Sequence, residues 1–316
     1  MHPFTKNPAD AVSSLGEEKL ILAIQRWLGA VSPRAPFGIG DDCAVLPAPR
    51  GRQLITVDPV IYPRHFDDQI APSAVGAKLL KRNLSDLAAM GGTPTAAVLA
   101  LTLDARVSLQ WLEGFYRGLA RCARRYHVTI VGGDIAQADG MVAASLTLLG
   151  ETAGKRILTR TGARIGDAIY VTGRLGGSLR TGHHCAFSPR LAEGKWLAAR
   201  DEVRSMMDVS DGLAKDLHSL TPRKAIPSLD PTALPRRADS DVRQALTDGE
   251  DYELLFALSA DADAIVFHRA WIRAFPRTLL TRIGCFVREG QLPANAINLD
   301  AYRGYEHLKN PGVAKP

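Results

Sequence analysis

Short apolar runs alternate with amphipathic stretches along the chain, and this alternation limits the possible folds more than any other feature. The segments Gln53–Asp58 and Thr95–Leu103 are predicted strands, because they are short, apolar and bounded by polar residues. Apolar residues recur at helical spacing from Ser73 to Met90 and from Ser108 to Tyr126. This order of strands and helices predicts an α/β protein.

The chain is predicted to form two domains, residues 1–152 and 153–316, since its 316 residues are about twice the length of an ordinary domain. In the first half, Ser14 and Glu17 have the spacing of a capping box, which predicts the start of a helix. In the second half, the proline-rich stretch Pro222–Pro235 predicts a surface excursion.

The composition predicts a soluble, packed protein, with 46% apolar and 23% charged residues. The formal charge of +6 favours anionic ligands without selecting one. The four cysteines are far apart and form no Cys-x-x-Cys pair, so neither a zinc site nor a disulfide framework is predicted. No signal pattern opens the chain, and no apolar run approaches the roughly 20 residues that span a bilayer. We therefore expect a cytoplasmic protein without a membrane partner.

Aspartate stands beside glycine, serine, threonine or another aspartate in five loops. These loops are GIGDD at 38–42, TVD at 56–58, NLSD at 83–86, GGD at 132–134 and DVSDG at 208–212. Carboxylates of this kind suit Mg²⁺, which also takes phosphate oxygens. Taken alone, each loop is also compatible with an ordinary turn or helix cap. If the loops converge, their carboxylates would repel one another unless cations were bound, but the sequence leaves convergence open.

The common phosphate-binding motifs are absent from the sequence. No Gly-x-x-x-x-Gly-Lys-Ser/Thr motif occurs, and the turn Gly173–Gly177 lacks the three-glycine spacing of a dinucleotide-binding fold. ATP, if it binds, is therefore held in another way.

Six motifs resemble those of the thiamine-monophosphate kinase family, within the superfamily that includes aminoimidazole ribonucleotide synthetase and selenophosphate synthetase. They occur in family order and span nearly the whole chain: GIGDDCAV at 38–45, NLSDLAAMGG at 83–92, VGGD at 131–134, LTRTGARIGDAIYVTGRLG at 158–176, DVSDGLAKDL at 208–217 and GEDYELLF at 249–256. The GEDYEL motif separates this family from the rest of the superfamily better than the acidic glycine loops do.

The resemblance implies ATP-dependent phosphorylation of thiamine monophosphate to thiamine diphosphate, by direct in-line transfer with several Mg²⁺ ions and no covalent phospho-enzyme. It also implies a homodimer, in which N-terminal α/β domains that bind ATP and metal form a shared barrel, each followed by a C-terminal α/β domain. By motif position, the implied magnesium ligands are Asp42, Thr56, Asp58, Asp86, Asp134 and Asp208, with Asp211 holding a further ion. The implied ATP contacts are Gly133, Asp134, Arg160 and Ser210. The implied substrate contacts are His65, Glu250 and Tyr305.

Two departures from the family pattern concern the segment that begins at Thr56. Val57 stands where the family has threonine, so this position offers an ion only its backbone carbonyl. The segment 59–66 lacks the acidic and glycine residues that usually precede the histidine. No role is predicted for His183, His184 or Trp196.

Three alternatives stay open at the level of sequence. A superfamily enzyme that acts on a carbonyl or amide oxygen would use the same acidic loops. A homologue that binds nucleotide without turnover would also keep them. A nucleic-acid binder is suggested by the basic helix residues Arg121, Arg124 and Arg125, although a solvated helix face explains these residues more simply, and no nucleic-acid partner is expected.

Overall fold

The computed structural model describes residues 1–152, 154, 156–302 and 304–305. The chain divides into two compact units, Met1–Arg156 and Ile157–Pro316. The strands are β1 Gln53–Ile61, β2 Gly92–Leu103, β3 Thr129–Gln137, β4 Val142–Thr152, β5 Ala168–Thr172, β6 Val203–Asp208, β7 Ala225–Leu229, β8 Leu254–Leu258 and β9 Leu280–Arg288. The helices are α1 Glu17–Leu28, α2 Pro72–Ala89, α3 Leu109–Tyr126, α4 His183–Ala186, α5 Leu191–Ala198, α6 Leu213–Leu220, α7 Val242–Thr247 and α8 Ala264–Ala274. Short 3₁₀ turns lie at Pro8–Asp10, Val12–Ser14, Gly29–Val31 and Leu299–Ala301.

The first unit is built on a four-stranded sheet in the order β1-β4-β2-β3. Strand β4 pairs antiparallel with β1 and β2, whereas β2 and β3 are parallel. Helix α2 packs on one face of this sheet and against α3, and it carries fully buried leucines such as Leu79 and Leu84. Each such leucine contributes about 1.5–3 kcal/mol through burial. A Cβ added to Gly118 of α3 would lie 2.0 Å from the Ser73 carbonyl oxygen, so glycine is what lets α3 approach α2 this closely.

The opposite face of the first-unit sheet carries exposed apolar side chains. Ile55 is 70% exposed, Val57 60% and Val98 38%. Val57 and Val98 are both in register with Thr147 of β4, so they form one row across three strands. The described residues leave this row largely uncovered, which is typical of an interaction surface.

The second unit is built on an antiparallel sheet in the order β6-β8-β5-β9-β7. Strands β5 and β8 are buried along their whole length, because helices cover both faces of the sheet. On one face, Leu213 and Leu217 of α6 belong to the same core cluster as Ile169 and Leu255. On the other, the stacked rings of Tyr170 and Phe256 lie against Phe267 of α8. The second unit therefore has three layers.

The predicted α/β class is confirmed, but two local predictions were wrong. Ser14 forms no capping box with Glu17, because its hydroxyl donates to the Ala11 carbonyl at 2.7 Å, and helix α1 follows Gly16, whose φ is 72°. The stretch Pro222–Pro235 contains strand β7, which pairs with β9. Proline is tolerated there because β7 is an edge strand, with a ladder on one side only.

Among the residues described, none of the helices combines the length and apolar character needed to cross a membrane.

Candidate functional site

Strand β1 and helix α2 bring together three of the predicted magnesium ligands. The Thr56 hydroxyl donates to Asp86 Oδ2 at 2.5 Å, and Arg82 Nη2 donates to Asp58 Oδ1 at 3.2 Å. Thr56 and Asp58 are two residues apart on a strand, and Arg82 and Asp86 are four apart on a helix, so each pair shares a face. We call Thr56, Asp58 and Asp86 the N-terminal acidic cluster.

The oxygen donors of the N-terminal acidic cluster fit Mg²⁺, because a hydroxyl and two carboxylates are the hard ligands that this ion takes. Arg82 partly neutralises the cluster: its side chain is 13% exposed and that of Asp58 is 26% exposed. Arg82 Nη1 also donates to the Pro59 carbonyl at 2.7 Å, which fixes the guanidinium between strand and helix. Arg82 was not predicted from the sequence, although its position four residues before Asp86 was a usable signal.

Asp134 lies on the other edge of the same sheet. β1 and β3 are the two edge strands, separated by β4 and β2. Asp58 is in register with Leu146 of β4, and Asp134 with Ala100 of β2. At about 4.8 Å per strand, Asp58 and Asp134 are about 14 Å apart along the sheet. This separation exceeds the roughly 11 Å that two aspartates can span through one Mg²⁺ ion.

Three further predicted contacts lie on loops or at strand edges of the first unit. Asp42 is exposed and its amide donates to Asp41 Oδ1 at 2.9 Å. The amide of Ile61 donates to Nδ1 of His65 at 3.1 Å, so one side of this imidazole closes the turn after β1. Gly133 is exposed on β3, and a Cβ there would lie 2.1 Å from the Leu99 carbonyl oxygen, so no other residue fits.

In the second unit, the DVSDG loop and the GEDYEL motif are joined by backbone hydrogen bonds. The Glu250 amide donates to the Ser210 carbonyl at 2.7 Å, and the Tyr252 amide to the Val209 carbonyl at 2.8 Å. The Tyr305 amide donates to the Asp211 carbonyl at 2.9 Å. We call the residues 208–211, 249–253 and Tyr305 the C-terminal loop cluster. It gathers residues predicted separately to contact metal, ATP and substrate.

The GEDYEL motif holds a strained backbone. Glu250 and Tyr252 both have a φ of 52°, in the left-handed region, which costs a non-glycine residue about 1 kcal/mol or more. Two neighbouring acids anchor the segment inside the unit. Asp251 is fully buried, pairs with Arg237 and accepts from the Gly176 amide at 3.1 Å. Burial raises the pKa of Asp251 to about 6, and the Arg237 charge opposes this shift.

Glu253 is the second anchor. It is 2% exposed and accepts hydrogen bonds from Arg190 at 2.7 and 2.6 Å and from the Thr172 hydroxyl at 2.7 Å. Because Asp251 and Glu253 are held in this way, we assign them to positioning the motif, while Glu250 is only half-buried.

The sequence left His183, His184 and Trp196 without roles. His183 Nε2 lies 3.3 Å from the Asp251 carbonyl oxygen, and burial lowers the pKa of His183 to about 4, so the ring is neutral near pH 7. His184 Nδ1 lies 3.2 Å from the Ser178 carbonyl oxygen. Trp196 packs among Trp271 and other aromatic rings. All three residues therefore support the second unit from within.

The remaining predicted contacts of the second unit differ in exposure. Asp208 is 3% exposed at the end of β6, whereas Arg160 is exposed. The Asp211 carboxylate accepts from Lys215 Nζ at 2.5 Å. Burial raises the pKa of Asp216 to about 7, and the amides of Ser210 and Asp211 donate to its carboxylate. Lys215 and Asp216 were missed, although the i,i+4 spacing of Asp211 and Lys215 was visible in the sequence.

Within the described part of the chain, no three histidine, cysteine or acidic side chains are grouped closely enough to hold a metal on their own. Mg²⁺ does not require such a group, because it is commonly bound by one or two carboxylates together with substrate phosphates and water. The N-terminal acidic cluster supplies donors of this kind.

Comparison with known proteins agrees with these motifs. Residues 40–152 match the family described as AIR synthase related protein, N-terminal domain. The thiamine-monophosphate kinase of Rhodopirellula baltica is 34% identical over 80% of this chain and 86% of its own length. The crystal structure of the Stenotrophomonas maltophilia thiamine-monophosphate kinase superposes with a TM-score of 0.71, at 29% identity over 84% of this chain and 93% of that one. A structure of AaThiL complexed with AMPPCP and TMP superposes with a TM-score of 0.67, at 27% identity over 94% of this chain and 98% of that one.

Proposed function

Since this chain belongs to the thiamine-monophosphate kinase family, we propose that it transfers the γ-phosphoryl group of ATP to thiamine monophosphate, giving thiamine diphosphate and ADP. The proposal rests mainly on the structural match to AaThiL. That match covers 94% of this chain, and AaThiL was solved in complex with AMPPCP and TMP. The C-terminal loop cluster adds support, since Ser210, Glu250 and Tyr305 lie together in the structure.

The proposed chemistry needs no side chain to remove a proton. The nucleophile is a phosphate oxygen of thiamine monophosphate, which is already ionised near neutral pH. The obstacle is repulsion between two anionic phosphates, and the protein must hold them in line. Bound Mg²⁺ would supply positive charge between the phosphates.

We assign the binding roles by motif position. The proposed magnesium ligands are Asp42, Thr56, Asp58, Asp86, Asp134 and Asp208. Gly133, Asp134, Arg160 and Ser210 are assigned to ATP, and His65, Glu250 and Tyr305 to thiamine monophosphate. The positive φ of Glu250 and its anchoring by Asp251 and Glu253 hold the Glu250 backbone in one conformation, which suits a substrate contact.

We further propose that the protein works as a homodimer formed through the exposed face of the first-unit sheet. The uncovered row of Val57 and Val98 supports this, and so do the edge strands β1 and β3, which pairing with a second copy would cover in a closed barrel. If β1 of one copy meets β3 of the other, the edge strands that carry Asp58 and Asp134 become neighbours across the dimer. Residues of both copies could then contribute to one magnesium site.

The proposed setting is the cytoplasm. All four cysteines are free in the structure, as expected of a protein in a reducing compartment.

A substrate comparison tests the proposed function. The purified chain is given ATP, Mg²⁺ and either thiamine monophosphate or an aminoimidazole precursor, and ADP release is measured for each. We expect ADP release that depends on thiamine monophosphate. Turnover with the aminoimidazole precursor alone would favour the superfamily enzyme that acts on a carbonyl or amide oxygen.

A further inference from the structure

Lys215 joins two segments that the proposed function uses. It lies within the DVSDGLAKDL motif, in the first turn of helix α6. Its Nζ donates to Asp211 Oδ2 at 2.5 Å and to the Tyr305 carbonyl oxygen at 2.7 Å. The Tyr305 amide in turn donates to the Asp211 carbonyl oxygen at 2.9 Å. Lys215, Asp211 and the 304–305 segment therefore each contact the other two.

We propose that the Lys215 ammonium takes the place of the further metal ion predicted at Asp211, and that it fastens the 304–305 segment to the DVSDG loop. Lys215 is then a positioning residue for Tyr305. The part of this proposal that concerns substrate rests on the proposed function, in which Tyr305 contacts thiamine monophosphate.

The donor set at Asp211 suits an ammonium better than Mg²⁺. A lysine ammonium is a compact charge with three donors, and here it meets two oxygens at hydrogen-bonding distance. Mg²⁺ would require near-octahedral coordination at about 2.0–2.1 Å, and the Lys215 charge would repel it. The two side chains are 38% and 31% exposed, so the pair is partly shielded from solvent.

Two contacts that do not involve the Lys215 charge hold the same turn. A Cβ added to Gly304 would lie 2.5 Å from the Asp211 carbonyl oxygen and 2.7 Å from Lys215 Cβ, so the 304–305 segment packs directly on the turn. From the other side, Asp216 Oδ2 accepts from the Ser210 amide at 2.9 Å and from the Asp211 amide at 3.0 Å. The position of Tyr305 is therefore set by protein groups, and we expect it not to depend on the concentration of divalent cations.

Counting bound Mn²⁺ by electron paramagnetic resonance, on the full chain with AMPPCP, tests whether a metal uses Asp211. We expect wild type and Asp211→Asn to bind the same number of ions. We expect Lys215→Met to bind one more ion than wild type, because the uncovered Asp211 carboxylate then accepts a cation. Loss of one ion in Asp211→Asn, or equal counts in Lys215→Met and wild type, would overturn the proposal.

Hydrogen exchange at the Tyr305 amide tests the fastening of the 304–305 segment. In wild type, we expect protection that is the same in EDTA and in Mg²⁺. In Lys215→Met with EDTA, we expect exchange about tenfold faster, the effect of losing a charge-assisted hydrogen bond. Lys215→Arg should retain the protection. Protection in wild type that appears only with Mg²⁺ would contradict the proposal.

Steady-state kinetics test whether Lys215 affects the binding of thiamine monophosphate. Lys215→Met should raise the KM for thiamine monophosphate by about tenfold and leave the KM for ATP unchanged, with recovery in Lys215→Arg. Equal changes in both KM values would refute the positioning role. Arg117→Met is the matched control, because Arg117 forms the same i,i+4 type of ion pair with Glu113 on α3. The metal count and the exchange measurement use no thiamine monophosphate, so they decide the proposal even if the proposed kinase reaction fails.

Discussion

Replacing Arg190 with methionine should destabilise the second unit by about 3 kcal/mol, because it leaves a buried carboxylate without its charged partner. Glu253 is 2% exposed, and two of its three hydrogen bonds come from the guanidinium of Arg190, at 2.7 and 2.6 Å. The Thr172 hydroxyl, at 2.7 Å, remains after the replacement. Breaking a buried pair costs about 3–5 kcal/mol. We take the lower end because the Arg190 side chain is 21% exposed, so water can reach the vacated space.

Urea unfolding of the full chain measures this effect, with hydrogen exchange of second-unit peptides to identify the unit that unfolds. Glu253→Gln alone should cost about 1–2 kcal/mol, since the amide still accepts from Thr172. The double variant should be more stable than Arg190→Met alone, because the buried Glu253 charge is removed together with its partner. Arg117→Met, which removes an exposed pair, should change stability by less than about 1 kcal/mol. A loss below about 1 kcal/mol in Arg190→Met, or strictly additive effects in the double variant, would refute this account of the GEDYEL anchor.

Three further predictions concern the proposed active site and the pH dependence of stability. Asp86→Asn should keep the fold, as judged by circular dichroism, and lower kcat by roughly 100-fold because it removes a proposed magnesium ligand. Activity within severalfold of wild type would contradict that role. Mixing inactive Asp58→Asn and Asp134→Asn proteins should restore part of the activity if one magnesium site draws on both subunits, whereas sites contained in one chain would leave the mixture inactive. Burial lowers the pKa of His183 from its usual 6.5 to about 4, so its contribution to stability is present above pH 6.5 and is lost as the pH falls toward 4. His183→Gln should reduce this loss of unfolding free energy at acid pH by about 1–2 kcal/mol, after allowance for solvent screening. An unchanged pH dependence of urea unfolding would contradict this prediction.

The sequence predicted those elements whose formation depends on local pattern. The apolar spacing from Ser73 to Met90 gave α2 to within a residue at each end, and Ser108 is the N-cap of α3. Where a local signal was ambiguous, the prediction failed. Ser14 and Glu17 have the spacing of a capping box, yet Gly16 precedes the helix with a positive φ. Pro227 indicated a loop, yet it lies in the edge strand β7.

The sequence did not predict how segments that are far apart along the chain are arranged in space. Strand order puts Asp58 and Asp134 on opposite edges of one sheet, and no periodicity along the chain reports strand order. The anchors of the GEDYEL motif join residues far apart in sequence, such as Arg190 and Glu253, so no spacing rule finds them. The contact of Lys215 with Asp211 is different, because its i,i+4 spacing was readable from the motif itself.

The transfer of labelled phosphate from ATP to thiamine monophosphate tests the proposed kinase reaction itself. The purified chain is incubated with Mg²⁺, thiamine monophosphate and ATP labelled at the γ-phosphate, and the products are separated by anion exchange. We expect the label to appear in thiamine diphosphate in step with the formation of ADP. Label found only in inorganic phosphate, with thiamine monophosphate unchanged, would contradict it.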